Sequence, residues 1–455
     1  MLQHCSTVAA IAVAILTVEG SATKSLAQNL QKLHDYVSRV TSDLGGIPMK
    51  LAVALGFVAC LVLAGTASGQ EVFSLGTAVK IGVSTDMSGP YSDIGGAGSV
   101  EAARMAIADF GGTVNGKKIE LLSADHKNNP DLGAGIANQW LGYNYVDAIA
   151  GVSTSHVALA VQEVVRSRNK VLLVSGAADA ELTGRACSPT TVHWTYDDVA
   201  LANGTGRAVV KNGGGTWFFI TADYAFGYDL ERNTTTVVRQ NGGSVVGSAR
   251  APLGTADFSP FLSKAQASGA RIVGLANAGG DTINSIKQAA KLGIAQGGQK
   301  LVALLLFISD VHSLGLQTAQ GLQLTSAFYW DQTDATRAWS KRFFDRVQRE
   351  PTMVQAGVYG SIMHYLAAVK ATGTTDGQTV VKQMKATPVN DFMTKNGYIR
   401  EDGTLVRDMY MFEVKSPSES RGPWDYYKQI AVIPGEEAFK PLGPNECYMT
   451  RSLSN

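Results

Sequence analysis

The chain has 455 residues, 45% hydrophobic and 17% charged, with 39 basic against 38 acidic side chains and a net charge of +1. Apolar content this high with almost no net charge excludes intrinsic disorder, and the lack of a basic excess argues against a protein that grips nucleic acid. The length suits two or three domains, each able to bury a core.

Two apolar stretches come first, Val8–Val18 and Leu51–Ala64. Both are shorter than the ~20 residues of a membrane-spanning helix. The second has the anatomy of a secretory signal. Met49-Lys50 supplies a start and a positive charge, the apolar run follows, and Ala67-Ser68-Gly69 is a small-x-small site before Gln70. Cleavage is expected after Gly69, so residues 1–69 form a leader. Residues 1–48 read either as an over-extended reading frame, with Met49 the true start, or as part of a genuine long leader. Cys60 lies mid-run with Leu61-Val62-Leu63 beyond it, which is the wrong place for a lipid-anchored cysteine. Lys24, Lys32, Arg39 and Lys50 leave with the leader, as do Glu19, Asp35 and Asp43, so the remainder is neutral. Cys187 and Cys447 remain, an even pair in an oxidising compartment. A disulfide tying the C-terminal tail to a loop of the first lobe is expected; two separate buried thiols are the alternative.

From residue 79 the chain alternates β-branched runs with amphipathic stretches. Strand Val79–Thr85 precedes a helix Ser99–Phe110, stopped by Gly111-Gly112. Strand Lys118–Ala124 precedes helix Asp131–Asn144, strand Asp147–Val152 precedes helix His156–Arg168, and strand Lys170–Val174 closes a first sheet. The cycle repeats. Trp217–Thr221, Ser244–Ser248, Arg271–Leu275, Leu301–Phe307 and Leu322–Ser326 read as strands, with helices Gly227–Gln240, Phe258–Ser268, Asp281–Leu292 and Val311–Ala319 between them. The longest apolar run here, Leu301–Ile308, is a buried strand by length. The joining segment Cys187–Ala202 is polar and holds Pro189. Thr333–Glu350 and Thr352–Thr372 are long amphipathic helices, and residues 397–433 suggest short strands around a turn at Glu401–Thr404. Such alternation predicts an α/β protein of two doubly wound, mainly parallel-sheet lobes joined by a hinge that the chain crosses several times. The expected division is 78–196 and 327–400 for lobe 1, with 197–326 and 401–455 for lobe 2 and the tail.

In open parallel sheets, ligands bind beyond the carboxyl ends of the strands. The first-sheet ends are Asp86–Gly98, Ser153-Thr154-Ser155-His156 and Ser175-Gly176-Ala177-Ala178-Asp179; the second-sheet ends are Asp223–Phe226, which includes Tyr224, then Asn277–Asp281 and Ser309-Asp310-Val311-His312. Three hydroxyls at a helix entry suit a carboxylate, because a helix N-terminus offers free N–H groups and partial positive charge; plain N-capping uses the same residues. Asp310 reads either as a helix cap or as an acceptor for a ligand's ammonium or hydroxyl. His126 and His312 follow strands, and a hydrogen-bonding or structural role suits them better than catalysis. The Gly95–Gly98 loop resembles a phosphate cradle only loosely, and no Gly-x-Gly-x-x-Gly or Gly-x-x-x-x-Gly-Lys-Ser/Thr follows a strand. Gly-x-Ser-x-Gly, His-Glu-x-x-His and Cys-x-x-Cys are missing as well. No cofactor, metal or enzyme activity is expected.

The string Lys80-Ile81-Gly82-Val83-Ser84-Thr85-Asp86-Met87-Ser88-Gly89-Pro90 resembles the opening of the type I periplasmic solute-binding proteins, the Leu/Ile/Val-type receptors of ATP-driven importers. Gly151–Ser155 is similar to that family's third-strand ligand loop, and Glu181–Gly184 and Asp223–Gly227 resemble later signatures; the resemblance spans about residues 79–435. It implies a monomeric periplasmic protein that closes by hinge motion on a small organic acid or amino acid and delivers it to ABC permease subunits. By position, Ser155, with Ser153 beside it, takes the place of the carboxylate-binding hydroxyl, Ala177 that of a backbone N–H donor, Phe226 that of a covering Tyr, and Asp310 that of the acid that accepts an α-ammonium. There are departures. Ile94 replaces the first-loop aromatic, Ala178 and Asp179 replace a hydroxyl, and Asn277-Ala278-Gly279-Gly280 lacks a Tyr. These small residues argue against a leucine-sized ligand. Trp194–Asp197, Phe328–Asp331 and Trp424–Lys428 are similar to a branch associated with aromatic acids. A ligand sensor that signals to a membrane partner is an alternative on the same fold; a secreted α/β enzyme would need a nucleophile–base pair that the strand ends do not offer.

Overall fold

The computed structural model describes residues 78–443 and 446–450; the expected leader, its cleavage site and Met49 lie outside them. In the first lobe, β1 (Ala78–Thr85) leads to α1 (Gly96–Asp109), then to the hairpin β2 (Thr113–Val114) and β3 (Lys117–Asp125), α2 (Pro130–Gly142), β4 (Ala148–Gly151), α3 (Ser155–Ser167), β5 (Val171–Val174) and β6 (Thr191–His193). The sheet order is β2-β3-β1-β4-β5-β6, parallel throughout except for β2. β4 and β5 are buried on both faces, as parallel strands covered by helices must be. The period of two shows in β4: Ala148 and Ala150 join the core under α1, whereas Ile149 joins Trp140, Val157 and Val161 of α2 and α3 on the other face. Gly82 is required here, because a Cβ on it would stand 2.3 Å from the Trp140 ring that lies flat across β1.

The polar joining segment hides structure. Residues 191–193 add the sixth strand, and α4 (Asp198–Leu201) continues through a π turn (Ala202–Gly206) into α5 (Arg207–Lys211). Asp197 caps α4 by accepting from the Ala200 N–H at 2.7 Å. A second lobe follows with β7 (Thr216–Ala222), α6 (Ala225–Gln240), β8 (Ser244–Ala251), α7 (Ser259–Ala267), β9 (Ile272–Ala276), α8 (Gly280–Lys291), β10 (Lys300–Ala303), α9 (Ile308–Leu314), α10 (Leu316–Ala319) and β11 (Gln323–Ser326). Its parallel sheet runs β10-β9-β7-β8. The expected strand at 301–307 is shorter than its apolar run: it ends at Ala303, and Leu304–Phe307 is buried without strand pairing.

The chain then returns. α11 (Asp334–Val347) and α12 (Met353–Thr372) pack on α1, and α13 (Gly377–Ala386) follows on the same lobe. The short pair β12 (Tyr398–Ile399) and β13 (Leu405–Val406) stays there too, since Thr404 bridges His193 at the sheet edge. The last crossing therefore falls after Val406, beyond the expected residue 400. β14 (Met409–Val414) and β15 (Tyr427–Ile433) pair with β11 in a third, antiparallel sheet, and α14 (Gly435–Ala438) ends the regular structure. Up to β14 three stretches of chain thus join the lobes, before the tail returns to Cys187 of the first lobe, and they touch: Arg407 donates to Ala327 O at 2.7 Å, and the Thr205 and Thr325 hydroxyls are 2.9 Å apart.

Cys187 and Cys447 form a disulfide, with Cα atoms 5.7 Å apart across a sequence separation of 260. Closing so long a loop should contribute roughly 2 to 5 kcal/mol by restricting the unfolded chain. The C187S/C447S double variant is therefore expected to unfold at a lower urea midpoint; an unchanged midpoint would show that the bridge constrains nothing.

Candidate ligand-binding cleft

In the first sheet, β1 lies between β3 and β4, so successive connections leave it in opposite directions; in the second, β7 lies likewise between β8 and β9. Each is a switch point, where the loops beyond the carboxyl ends diverge and leave a crevice. The loops from both switch points line one shared cavity of about 290 Å³, partly open to solvent. The first lobe contributes Tyr91, Ile94, Ser153, Ser155, Gly176, Ala177, Ala178 and Tyr196; the second contributes Tyr224, Phe226, Ala278, Leu305 and Phe307.

Each wall has a local cause. Asp86, fully buried, accepts from the Gly89 and Tyr91 backbone N–H groups at 2.7 and 2.9 Å and from Asn128 at 2.6 Å. These bonds fold the first loop back and aim Tyr91 into the gap. There its hydroxyl lies 2.7 Å from that of Tyr224 on the opposite lobe. Gly279, at φ 57°, permits the approach, because a Cβ there would meet Pro90 O at 2.7 Å. His156 stands edge-on to Tyr224 at 4.8 Å. At the side of the gap, the Ala180 N–H donates to Asp229 across the lobes at 2.9 Å, and Arg232 meets Glu181 at 3.2 Å. The lobes are closed on one another.

Four helices start at this cavity without a side-chain cap: α1 beside Ile94, α3 at Ser155, α6 after Tyr224 and α8 beside Ala278. By contrast α2, α11, α12 and α13 are capped by Asn129, Thr333, Thr352 and Asp376. Uncapped N-termini leave N–H donors and partial positive charge for an anion. The Ser155 oxygen accepts from the Asp179 N–H at 3.3 Å, which leaves its own O–H to donate. Ser153 is more committed: its oxygen accepts from the Asp86 N–H at 2.9 Å and lies 3.2 Å from His126 Nε2. Burial pushes the His126 imidazole down to about 4, so the ring is neutral.

Of the residues singled out in the sequence, Ile94, Ser153, Ser155, Ala177, Ala178, Tyr224 and Phe226 line the cavity, although the Ala177 N–H expected to serve a ligand donates to Val152 O at 3.0 Å. Asp310 and Asn277 do not. Asp310 accepts from the Phe307 N–H at 2.9 Å and caps α9; burial, with Asp93 adding to it, raises its carboxyl to about 7. The Asn277 amide is held by the Thr282 and Ser285 hydroxyls. Asn277 directly follows its strand, whereas Asp310 lies well beyond Ala303, inside α9; each satisfies its own helix start instead of the gap. His312 stacks on Trp424 at 3.9 Å, away from the cavity. Sequence reasoning missed the aromatic and large apolar lining residues Tyr91, Tyr196, Leu305 and Phe307. Tyr91 restores the first-loop aromatic that Ile94 lacks, and Leu305 and Phe307 lie in the apolar run read as strand.

Fold and shared cavity together define a two-lobed binding-protein architecture. The family described as "Periplasmic binding protein" matches residues 78–422. A periplasmic binding protein from Burkholderia mallei is 52% identical, with a TM-score of 0.79 over 80% of this chain and 96% of its own. A branched-chain amino-acid ABC transporter periplasmic ligand-binding protein from Burkholderia xenovorans is 37% identical, with a TM-score of 0.73 over 82% of this chain and 100% of its own. Leu/Ile/Val-binding protein homolog 6 of Brucella melitensis is 25% identical over 390 residues, 79% of this chain and 97% of its own. The chain belongs to the periplasmic binding protein family. Among the described residues, no helix is long and apolar enough to cross a membrane.

His126 makes the cleft's stability depend on pH. The folded protein keeps the ring neutral down to about pH 4, whereas the unfolded chain protonates near 6.5. The stabilisation is complete above 6.5 and is lost as the pH falls towards 4, because only the unfolded chain takes up the proton. Between pH 7.5 and 5 the His126→Gln variant should lose about 2 kcal/mol less than the wild type in urea unfolding, at ~1.4 kcal/mol per unit. Equal losses in both proteins would show that His126 is not held neutral.

Proposed function

We propose that this protein is the extracytoplasmic binding component of an ATP-driven importer and that its lobes close on a small apolar carboxylate, an aromatic acid such as a benzoate. The observation that carries the reading is the pairing of four uncapped helix starts with a cavity whose lining includes no charged side chain. The helix starts and the Ser155 hydroxyl receive the carboxylate; Tyr91, Tyr196, Phe226 and Phe307 receive the flat apolar body. An α-amino acid also needs an acceptor for its ammonium, and Asp310, the expected one, is turned onto its own helix. The ligand is held and released unchanged. The protein works as a monomer outside the cytoplasm and hands its load to permease subunits.

A second reading is a branched-chain amino acid, supported by the name of the 37% identical Burkholderia xenovorans protein. A thermal-shift panel separates the two. At 100 times its dissociation constant a ligand stabilises by ~2.7 kcal/mol. Benzoate and 4-hydroxybenzoate are expected to raise the midpoint while leucine, isoleucine and valine leave it unchanged; the reverse pattern would replace the aromatic reading.

For the ligand that shifts the midpoint, Ser155→Ala should weaken binding by ~1 to 3 kcal/mol, the range for a hydrogen bond to a charged group. Unchanged affinity in calorimetry would remove Ser155 from the site. Disrupting the chromosomal copy should abolish uptake of that same compound; normal uptake would point to a sensing role.

A further inference from the structure

Beside the cleft, three carboxyls from three parts of the chain meet at the seam between the lobes. Asp179 follows β5 in the first lobe. Asp198 opens α4 on the first crossing, where its N–H donates to Ala178 O at 2.8 Å. Asp229 lies on α6 in the second lobe, one turn beyond Tyr224. All three are buried, Asp198 completely. Asp229 accepts from the Ala180 N–H across the seam and from Arg232 on its own helix. Asp179 accepts from the Glu181 N–H at 2.9 Å. Asp198 is different: neither of its oxygens has a donor among the described residues, although both are sealed from solvent. The group that faces it is the Asp229 carboxyl.

A buried carboxylate without a donor is costly, and two carboxyls in contact cannot both ionise. A proton on Asp198 removes both difficulties, since it supplies the hydrogen bond that joins the pair. We propose that closure of the lobes buries the Asp198–Asp229 pair with one proton held between its carboxyls, so that ligand binding takes up a proton and weakens as the pH rises. The idea rests on the reading of the cleft as a ligand site that works by lobe closure. In the open form the seam is wet and the pair ionises. In the closed form Asp179 arrives from the first lobe, and burial, with Asp229 adding to it, raises its own carboxyl to about 7. Burial first, then the Asp229 and Asp179 charges, push the Asp198 carboxyl well above its ordinary range.

The other groups around the pair do not supply the missing donor. Glu181 is engaged by Arg185 and Arg232. Asp197 caps α4 and faces Arg400 and Asp402. The Tyr196 hydroxyl donates to Gly176 O, and that of Tyr224 is shared with Tyr91. On α14, Glu436 meets Tyr398 and Glu437 meets Arg207.

Calorimetry in phosphate and in Tris at pH 7 counts the protons taken up with benzoate, or with leucine if leucine is the compound that binds. The wild type is expected to take up close to one proton, and its dissociation constant should rise up to about tenfold per pH unit between pH 6 and 8. Asp198→Asn supplies a permanent amide donor in place of the shared proton. It should take up clearly less than the wild type, with Asp179 the titrating group that remains, and its affinity should fall less steeply from pH 6 to 8. A variant with weaker affinity and an unchanged pH slope would overturn the proposal, as would a wild type with no uptake. If neither compound binds, the proton-linked closure falls together with the reading of the cleft; binding without proton uptake overturns the shared proton alone.

Discussion

The contact between the Tyr91 and Tyr224 hydroxyls joins two switch points that each sheet creates on its own. A doubly wound sheet leaves a crevice where its connections diverge, whatever its sequence. Setting two such crevices mouth to mouth turns two shallow grooves into one enclosed space, and the tyrosine pair marks how closely they approach. The Asp86 network that aims Tyr91, the positive-φ Gly279 that lets Pro90 come near, and the edge-on His156 all serve that approach. None of them makes sense within a single lobe.

Inside the gap, recognition uses dipoles and hydroxyls in place of full charges. A lysine or arginine here would lose its hydration on closure and then hold any anion indiscriminately. Helix starts carry partial charge that the fold has already oriented, so little reorganisation is needed when a carboxylate arrives. The apolar remainder of the cavity then selects by shape. Asp310 and Asn277 belong to the same economy of helix starts: Asp310 is spent on the Phe307 N–H and Asn277 on the Thr282 and Ser285 hydroxyls, which leaves the lining neutral.

Much of the architecture was legible in the sequence because the signal is local. Alternating β-branched runs and amphipathic helices gave the parallel sheets, and cysteine parity pointed to the Cys187–Cys447 bridge. What escaped depends on distant contacts. Leu301–Ile308 is uniformly apolar, yet pairing stops at Ala303, opposite Leu275, where β9 itself is one residue from its end at Ala276. α4 was hidden in a segment whose buried aspartates look like loop polarity, and α5 lies just beyond that segment, where no element was read. α13, between Gly377 and Ala386, was not read at all; its apolar stripe of Val380, Val381 and Met384 is short. In the site, Ser155 and Phe226 followed from strand order, whereas Tyr91 did not, since only the fold-back around Asp86 carries it to the gap.

The three connections between the lobes also touch one another, through Arg407 to Ala327 and through Thr205 to Thr325. A single tether would allow swivel, slide and twist. Three bonded side by side behave like a book's spine: the covers can part and meet, but torsion is resisted. Each return to the shut state therefore brings the same atoms of the two halves opposite each other, and the geometry of capture is reproduced from one cycle to the next without being searched for.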